Sequence, residues 1–136
     1  MGLGPSVYLD SCLAIYLVEE NAVFAPNLEI ALKANSDSVF CISPLTEMEC
    51  LIMPLRVQND LLIKKFKNWF ETVEMLSMTS EVFRDGAQLR ADFTSLKTPD
   101  ALHLATALHH NCDEFWTNDD RLNMVAPTLI KNVLRK

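Results

Sequence analysis

Short apolar runs alternate with longer amphipathic stretches along this chain, and that alternation sets the expected architecture. Val7-Tyr8-Leu9 reads as a first strand ending in Asp10, because it is short, β-branched or aromatic and closed by a polar residue. Residues 12–19 carry Leu13, Ile15, Tyr16, Leu17 and Val18 into Glu19-Glu20, the pattern of a short and mostly buried helix. Pro26 and Asn27 open a second helix that ends near Asn35-Ser36, with Leu28, Ala31 and Leu32 at helical spacing. Residues 38–42 predict strand two. The stretch from Thr46 to Val57 reads helical with Leu51, Ile52 and Leu55 on one face, although Pro54 is expected to kink it or end it early. Residues 59–72 form a clearer amphipathic helix: Leu61, Leu62, Phe66, Trp69 and Phe70 are apolar, while Lys64, Lys65 and Lys67 point largely outward.

Met75 to Met78 predicts a third strand. Thr79 or Ser80 caps a helix over 81–92, and Thr98-Pro99-Asp100 starts the next with a cap, a proline and an acidic first turn. In that helix Ala101, Leu104, Ala105 and Leu108 follow the i, i+3, i+4, i+7 stripe, with Asp100 and His103 on its flank. Residues 114–117 predict a fourth strand and 128–130 a fifth at the edge. Strands alternating with helices in this way predict an α/β three-layer sandwich, with a central, mostly parallel sheet of four to five short strands flanked by helices. At 136 residues the chain fits a single domain over 1–136, long enough to bury roughly two thirds of its unfolded surface.

Composition narrows the function classes. Twelve basic against eighteen acidic residues give a net charge of -6, which argues against holding a polyanion by bulk electrostatics. Contact with a nucleic acid would have to be local. Cys12, Cys41, Cys50 and Cys112 lie in apolar or helical stretches without C-x-x-C spacing, so buried thiols in a reducing compartment are expected. There is no basic leader followed by an apolar run, and no window approaches the roughly 18 apolar residues of a membrane helix, so a cytoplasmic location without membrane contact is expected.

The chemistry lies in the acids that punctuate the apolar runs. Asp10 follows the first, Glu49 lies beyond the second, Asp119 follows Phe115-Trp116, and Asp100 opens a strongly patterned helix. In an open parallel sheet, strand ends of this kind gather at one crevice where ligands bind. Oxygen ligands without a Cys/His cluster favour Mg²⁺ or Mn²⁺, and phosphodiester hydrolysis by metal-activated water is the natural chemistry. Each acid also has a structural reading: Asp10 as a strand end, Glu49 as the partner of Thr46 in a capping box, Asp100 in a helix dipole, and Asp119 in a turn or cap.

Taken together, Val7-Tyr8-Leu9-Asp10-Ser11, Ile42-Ser43-Pro44-Leu45-Thr46-Glu47-Met48-Glu49, Pro99-Asp100-Ala101-Leu102-His103-Leu104-Ala105 and Trp116-Thr117-Asn118-Asp119-Asp120-Arg121 resemble, in order and spacing, the PIN-domain ribonucleases. The likeness is strongest to the VapC-like toxins of toxin-antitoxin pairs. That resemblance implies a Mg²⁺- or Mn²⁺-dependent endoribonuclease with Asp10, Glu49, Asp100 and Asp119 as catalytic and metal-binding acids. It makes Thr117 and Ser11 supporting residues and Asp120 a reserve candidate. Glu49 is preferred to Glu47, since residues two apart on a helix point about 200° away from each other. The family further implies an RNA substrate, a homodimer and a cognate antitoxin that drapes over the site. One departure stands out: many relatives carry Asn two residues after the first Asp, and here Cys12 stands there. A thiol lacks the amide's donor and acceptor pair, which keeps alive a second reading, a catalytically weak module that binds a partner protein or RNA.

Other features weigh less. His109, His110 and Cys112 invite a zinc reading but lack a second ligand pair. His103 is expected to pack beside the helix start rather than act as a base. Lys64, Lys65 and Lys67 read as a solvated face, with Arg84, Arg90 and Arg121 as alternative RNA contacts. The run Met48, Leu51, Ile52, Met53 and Leu55 exceeds what a small core needs, so core packing and partner contact are equal expectations.

Overall fold

The computed structural model describes residues 4–134. Five parallel strands form one sheet: β1 (Ser6–Leu9), β2 (Val39–Ile42), β3 (Glu74–Met75), β4 (Glu114–Trp116) and β5 (Ile130–Lys131), in the order β3-β2-β1-β4-β5. Six helices cover it: α1 (Ser11–Val18), α2 (Ala25–Ala34), α3 (Pro44–Arg56), α4 (Asp60–Phe70), α5 (Ser80–Asp92) and α6 (Thr98–His109), with a 3₁₀ turn at Asp120–Met124. This is the expected three-layer α/β arrangement.

Side chains alternate between the two faces of a strand, and both faces here are buried. Val7, Leu9, Ile42 and Trp116 meet Leu13, Leu28, Cys50, Phe66 and Phe70 on one side. Tyr8, Cys41, Phe115 and Ile130 meet Leu104, Ala101 and Ala107 of α6 on the other. Burial on both faces explains why the strands read as apolar runs rather than as alternating patterns.

The chain builds outward from β1 to β2 and β3, then crosses back to β4 and β5. The sheet order therefore reverses between β1 and β4, a topological switch point with a crevice beyond the carboxyl ends of its strands. Asp10 follows β1 there, its backbone N–H donating to Trp116 O at 3.0 Å, and Thr117 follows β4.

Several boundaries differ from expectation. The third strand is Glu74–Met75 rather than 75–78, and the fifth is Ile130–Lys131 rather than 128–130. Such short edge pairings are set by register against a neighbour rather than by local pattern. Pro54 neither stops α3 nor is exposed: it lies buried inside the helix, which runs on to Arg56. A proline forfeits one i→i−4 bond, and this near the end the turn recovers through Val57 N–H to Met53 O at 3.1 Å and Asn59 N–H to Pro54 O at 2.9 Å.

The inward face of α3 also differs from the expected stripe. Thr46, Cys50 and Pro54 are buried, whereas Met48, Met53 and Leu55 are more than half exposed and Ile52 is exposed. The helix begins two residues earlier than expected, with Ser43 and Thr46 forming the capping box and Pro44 in the first turn. The structural reading of Glu49 as the capping acid of Thr46 therefore does not hold.

Candidate active site

Asp10 occupies the N-cap of α1, where Ser11 N–H donates to its Oδ1 at 2.8 Å. The hydroxyl of fully buried Thr117 donates to its Oδ2 at 2.7 Å. The same Thr117 Oγ1 accepts from Asp119 N–H at 3.0 Å, so one side chain ties the end of β1 to the loop after β4. Asp119 caps the 3₁₀ turn by accepting from Arg121 N–H at 3.1 Å, and the Arg121 guanidinium holds both of its oxygens, at 2.9 and 2.7 Å. The cap expected for Asp119 is thus present. It does not use up the carboxylate, which has about four lone-pair sites.

Glu49 projects from the second turn of α3. Ser11 Oγ donates to its Oε1 at 2.6 Å, and His103 Nε2 lies 2.6 Å from the same oxygen. Asp100, in the first turn of α6, receives no hydrogen bond among the described residues, and its carboxyl feels the charges of Asp10 and Asp119. The helix start here is one residue earlier than expected, with Lys97 at the cap position. Thr98 is instead gripped by Arg90, which reaches its Oγ1 at 2.9 Å and Leu96 O at 2.9 Å.

These neighbours leave a readable electrostatic imprint. Burial, then the negative charges of Asp10 and Asp119, push the Asp100 carboxyl above the usual carboxylate range, with Arg121 opposing in part. Burial also pushes on Glu49, but hydrogen bonds from His103 and Ser11 outweigh it and hold that carboxyl below its usual range. Arg121 lowers Asp119 in the same way. Cys12 is half-buried beside Asp10, and burial followed by that charge pushes its thiol up to about 12.

The sequence-predicted site residues therefore gather at one edge of the sheet. Ser11 links Asp10 to Glu49, Thr117 links Asp10 to Asp119, and Asp100 is coupled to the first and last by charge. Asp120, the reserve candidate, accepts from Asn132 Nδ2 at its Oδ1, at 3.2 Å. Asn132 also donates to Asn118 at 3.2 Å and was not singled out in the sequence, where nothing marks it. Among the described residues, no group of three or more His, Cys, Asp or Glu side chains stands close enough together to hold a metal ion as the side chains are placed. The donors are nevertheless hard carboxylate oxygens, and Asp100, without a hydrogen-bond donor between two like charges, is the group a divalent cation would relieve. The set fits Mg²⁺ or Mn²⁺ in chemistry.

A cleft beside Asp100 is lined by Phe93, Ser95, Leu96, Lys97, Arg121 and Leu122. The remaining expectations resolve elsewhere. His110 Nε2 lies 2.9 Å from Ser77 O, and His109 lies 3.9 Å from Glu81. Lys64, Lys65 and Lys67 are exposed on α4 and Arg84 on α5. All four cysteines are free thiols. No helix among the described residues is long and apolar enough to cross a membrane.

A family model, the PIN domain, matches residues 7–126. No curated protein matches the sequence. Among solved structures, the DNA-bound VapBC of Salmonella typhimurium contains a chain similar at TM-score 0.77 and 14% identity, covering 96% of this chain and 99% of that one. A toxin-antitoxin complex from Klebsiella pneumoniae gives TM-score 0.76 at 21% identity, over 93% and 97%. Mycobacterium tuberculosis VapC20, a toxin that cleaves the sarcin-ricin loop, gives 0.74 at 11%, over 88% and 95%.

Proposed function

The chain belongs to the PIN domain family, and from that premise we propose that it is a divalent-metal-dependent endoribonuclease, the toxin of a toxin-antitoxin pair. What supports this reading is that Ser11 joins Asp10 to Glu49, Thr117 joins Asp10 to Asp119, and burial followed by the charges of Asp10 and Asp119 pushes the Asp100 carboxyl above its usual range. Asp10, Asp100, Asp119 and Glu49 would hold Mg²⁺ or Mn²⁺, which when bound supplies an activated water and charge neutralisation at a scissile phosphate.

The chain's own residues prepare that site. Ser11 N–H and Thr117 Oγ1–H fix the two oxygens of Asp10 in one orientation. Arg121, three-quarters exposed, and Lys97 supply local positive charge at the mouth of an otherwise acidic site, where the RNA backbone must approach a protein of net charge -6. Toxin-antitoxin proteins among the structural relatives support a cognate antitoxin, and the exposed Met48, Ile52, Met53 and Leu55 of α3 give an adaptable apolar surface for it or for a homodimer. We infer a cytoplasmic enzyme acting on RNA.

The test is cleavage of a structured RNA by purified protein with Mn²⁺, with chelator, and with Asp10→Asn or Asp100→Asn. Cleavage is expected only in the first condition with the wild type. Undiminished cleavage by Asp10→Asn protein overturns the mechanism. A second reading, a binding module of the same fold, draws on Glu49 and Asp119 being already engaged by His103 and Arg121. Absence of Mn²⁺ uptake in calorimetry would favour it.

A further inference from the structure

His103 is 2% exposed, on α6 one turn after Asp100, and Tyr8 is fully buried on β1 two residues before Asp10. The two elements that deliver the catalytic candidates Asp10 and Asp100 therefore also deliver a buried polar pair behind them. Tyr8 OH lies 2.6 Å from His103 Nδ1 and 2.8 Å from Ser43 Oγ, and His103 Nε2 lies 2.6 Å from Glu49 Oε1. A carboxylate only accepts, so Nε2 carries the proton shared with Glu49. In that tautomer Nδ1 accepts from the Tyr8 hydroxyl, and the Ser43 hydroxyl can donate to Tyr8. One direction of donation satisfies every group from the cap of α3 to Glu49.

We propose that His103, oriented by Tyr8, is a positioning residue that braces Glu49 so that Oε1 is held by protein and Oε2 is presented to a cation. This rests on the reading of Glu49 as a metal-binding acid. Both hydrogen bonds to Glu49, from Ser11 and from His103, fall on Oε1. The buried imidazole, which needs partners for both nitrogens, finds its second in a carboxylate 28% exposed at the rim of the site. The arrangement matches the way partners behind metal-binding side chains fix ligand orientation, where loss of one typically weakens metal binding about 10–100-fold. The opposite role, a latch that withholds Glu49 from the cation, would use the same contacts but predicts tighter binding once His103 is removed.

The experiment compares wild type, His103→Leu, His103→Gln, Tyr8→Phe and Glu49→Gln, each checked for folding by circular dichroism. Mn²⁺ affinity is measured by calorimetry, and the metal-free proteins are examined by NMR at the Glu49 side-chain carboxyl carbon and the ring nitrogens of His103. We expect His103→Leu to weaken Mn²⁺ binding about tenfold or more, Tyr8→Phe to weaken it less, and His103→Gln, whose amide can donate near the Nε2 position, to recover most of the loss. The Glu49 carbon resonance should shift in His103→Leu and return in His103→Gln, and wild-type His103 should show the Nε2–H tautomer. Unchanged or tighter Mn²⁺ binding in His103→Leu, or an unmoved Glu49 resonance, overturns the brace. Wild-type binding of Mn²⁺ that Glu49→Gln leaves intact overturns instead the reading of Glu49 as a ligand, and the brace with it.

Discussion

Thr117 offers the sharpest test of how the two sides of the switch point are joined. Its hydroxyl donates to Asp10 Oδ2 at 2.7 Å and accepts from Asp119 N–H at 3.0 Å, with the side chain fully buried. Thr117→Val keeps the shape and removes both bonds. A hydrogen bond to a charged acceptor contributes about 1.5–3 kcal/mol and a neutral one about 1 kcal/mol. Asp10 is only half-buried, so water replaces part of what it loses, and a total near 2 kcal/mol follows from the low end of those ranges. For a chain of this size about 4 °C of melting temperature accompanies each kcal/mol, giving a drop of roughly 8 °C. The assay is thermal unfolding at neutral pH in chelator, with Thr117→Ser as the control that keeps the hydroxyl. Repeating Thr117→Val in the Asp10→Asn background should cost about 1 kcal/mol less, because the charged acceptor is gone. A Thr117→Val protein that melts with the wild type would refute the idea that this hydroxyl holds Asp10 and the β4 loop together.

Asp100→Asn should abolish metal-dependent cleavage yet stabilise the metal-free protein at neutral pH. The raised carboxyl means the folded state holds that proton more tightly than the unfolded chain, so the contribution is favourable below the ordinary Asp value of about 4 and is lost as pH rises through the folded value. The difference between wild-type and Asn melting curves from acid to neutral pH should grow in that direction. Arg121→Ala removes a stabilisation of Asp119 that is present above the ordinary carboxylate pKa and lost as pH falls through the depressed one. As an exposed, solvent-screened pair it should change stability little while raising KM for RNA. Cys12, with its thiol pushed up to about 12, should react with a thiol reagent at pH 8 about a thousandfold more slowly than a free cysteine, since only the thiolate attacks. Leu55→Glu on α3 should shift any dimer towards monomer in sedimentation velocity without lowering the melting temperature, because Leu55 is 58% exposed.

What the sequence made legible follows from where the information is local. β1, β2 and β4 are buried on both faces, so they show as apolar runs, and α6 packs a dense stripe from Ala101 to Ala107 against the sheet. The acids were legible because each follows such a run or opens such a helix. α3 misled because its outward face is richer in Leu, Ile and Met than its inward one, so hydrophobicity pointed away from Thr46, Cys50 and Pro54. The Tyr8–His103–Glu49 chain joins residues 95 and 54 positions apart. No local pattern reports such a contact, although a histidine on an otherwise apolar stripe is a sign that a buried partner must exist.

The partners of the acids explain why they are arranged as they are before any cation arrives. Asp10 is held by Ser11 and Thr117, Glu49 by Ser11 and His103, and Asp119 by Arg121. Each partner leaves oxygen lone pairs free, and together they let carboxylates stand at one crevice without the folded state bearing the full repulsion. Of the four, Asp100 lacks such a partner, and burial together with the residual repulsion raises its pKa. Perturbed carboxyls of this kind gather at functional sites. A divalent cation would relieve the repulsion, and so would the side-chain positive charge of a partner protein's arginine or lysine placed beside Asp100. On the proposed reading, a single acid without a donor would make the same crevice responsive both to a metal that would support cleavage and to a basic side chain that would block it.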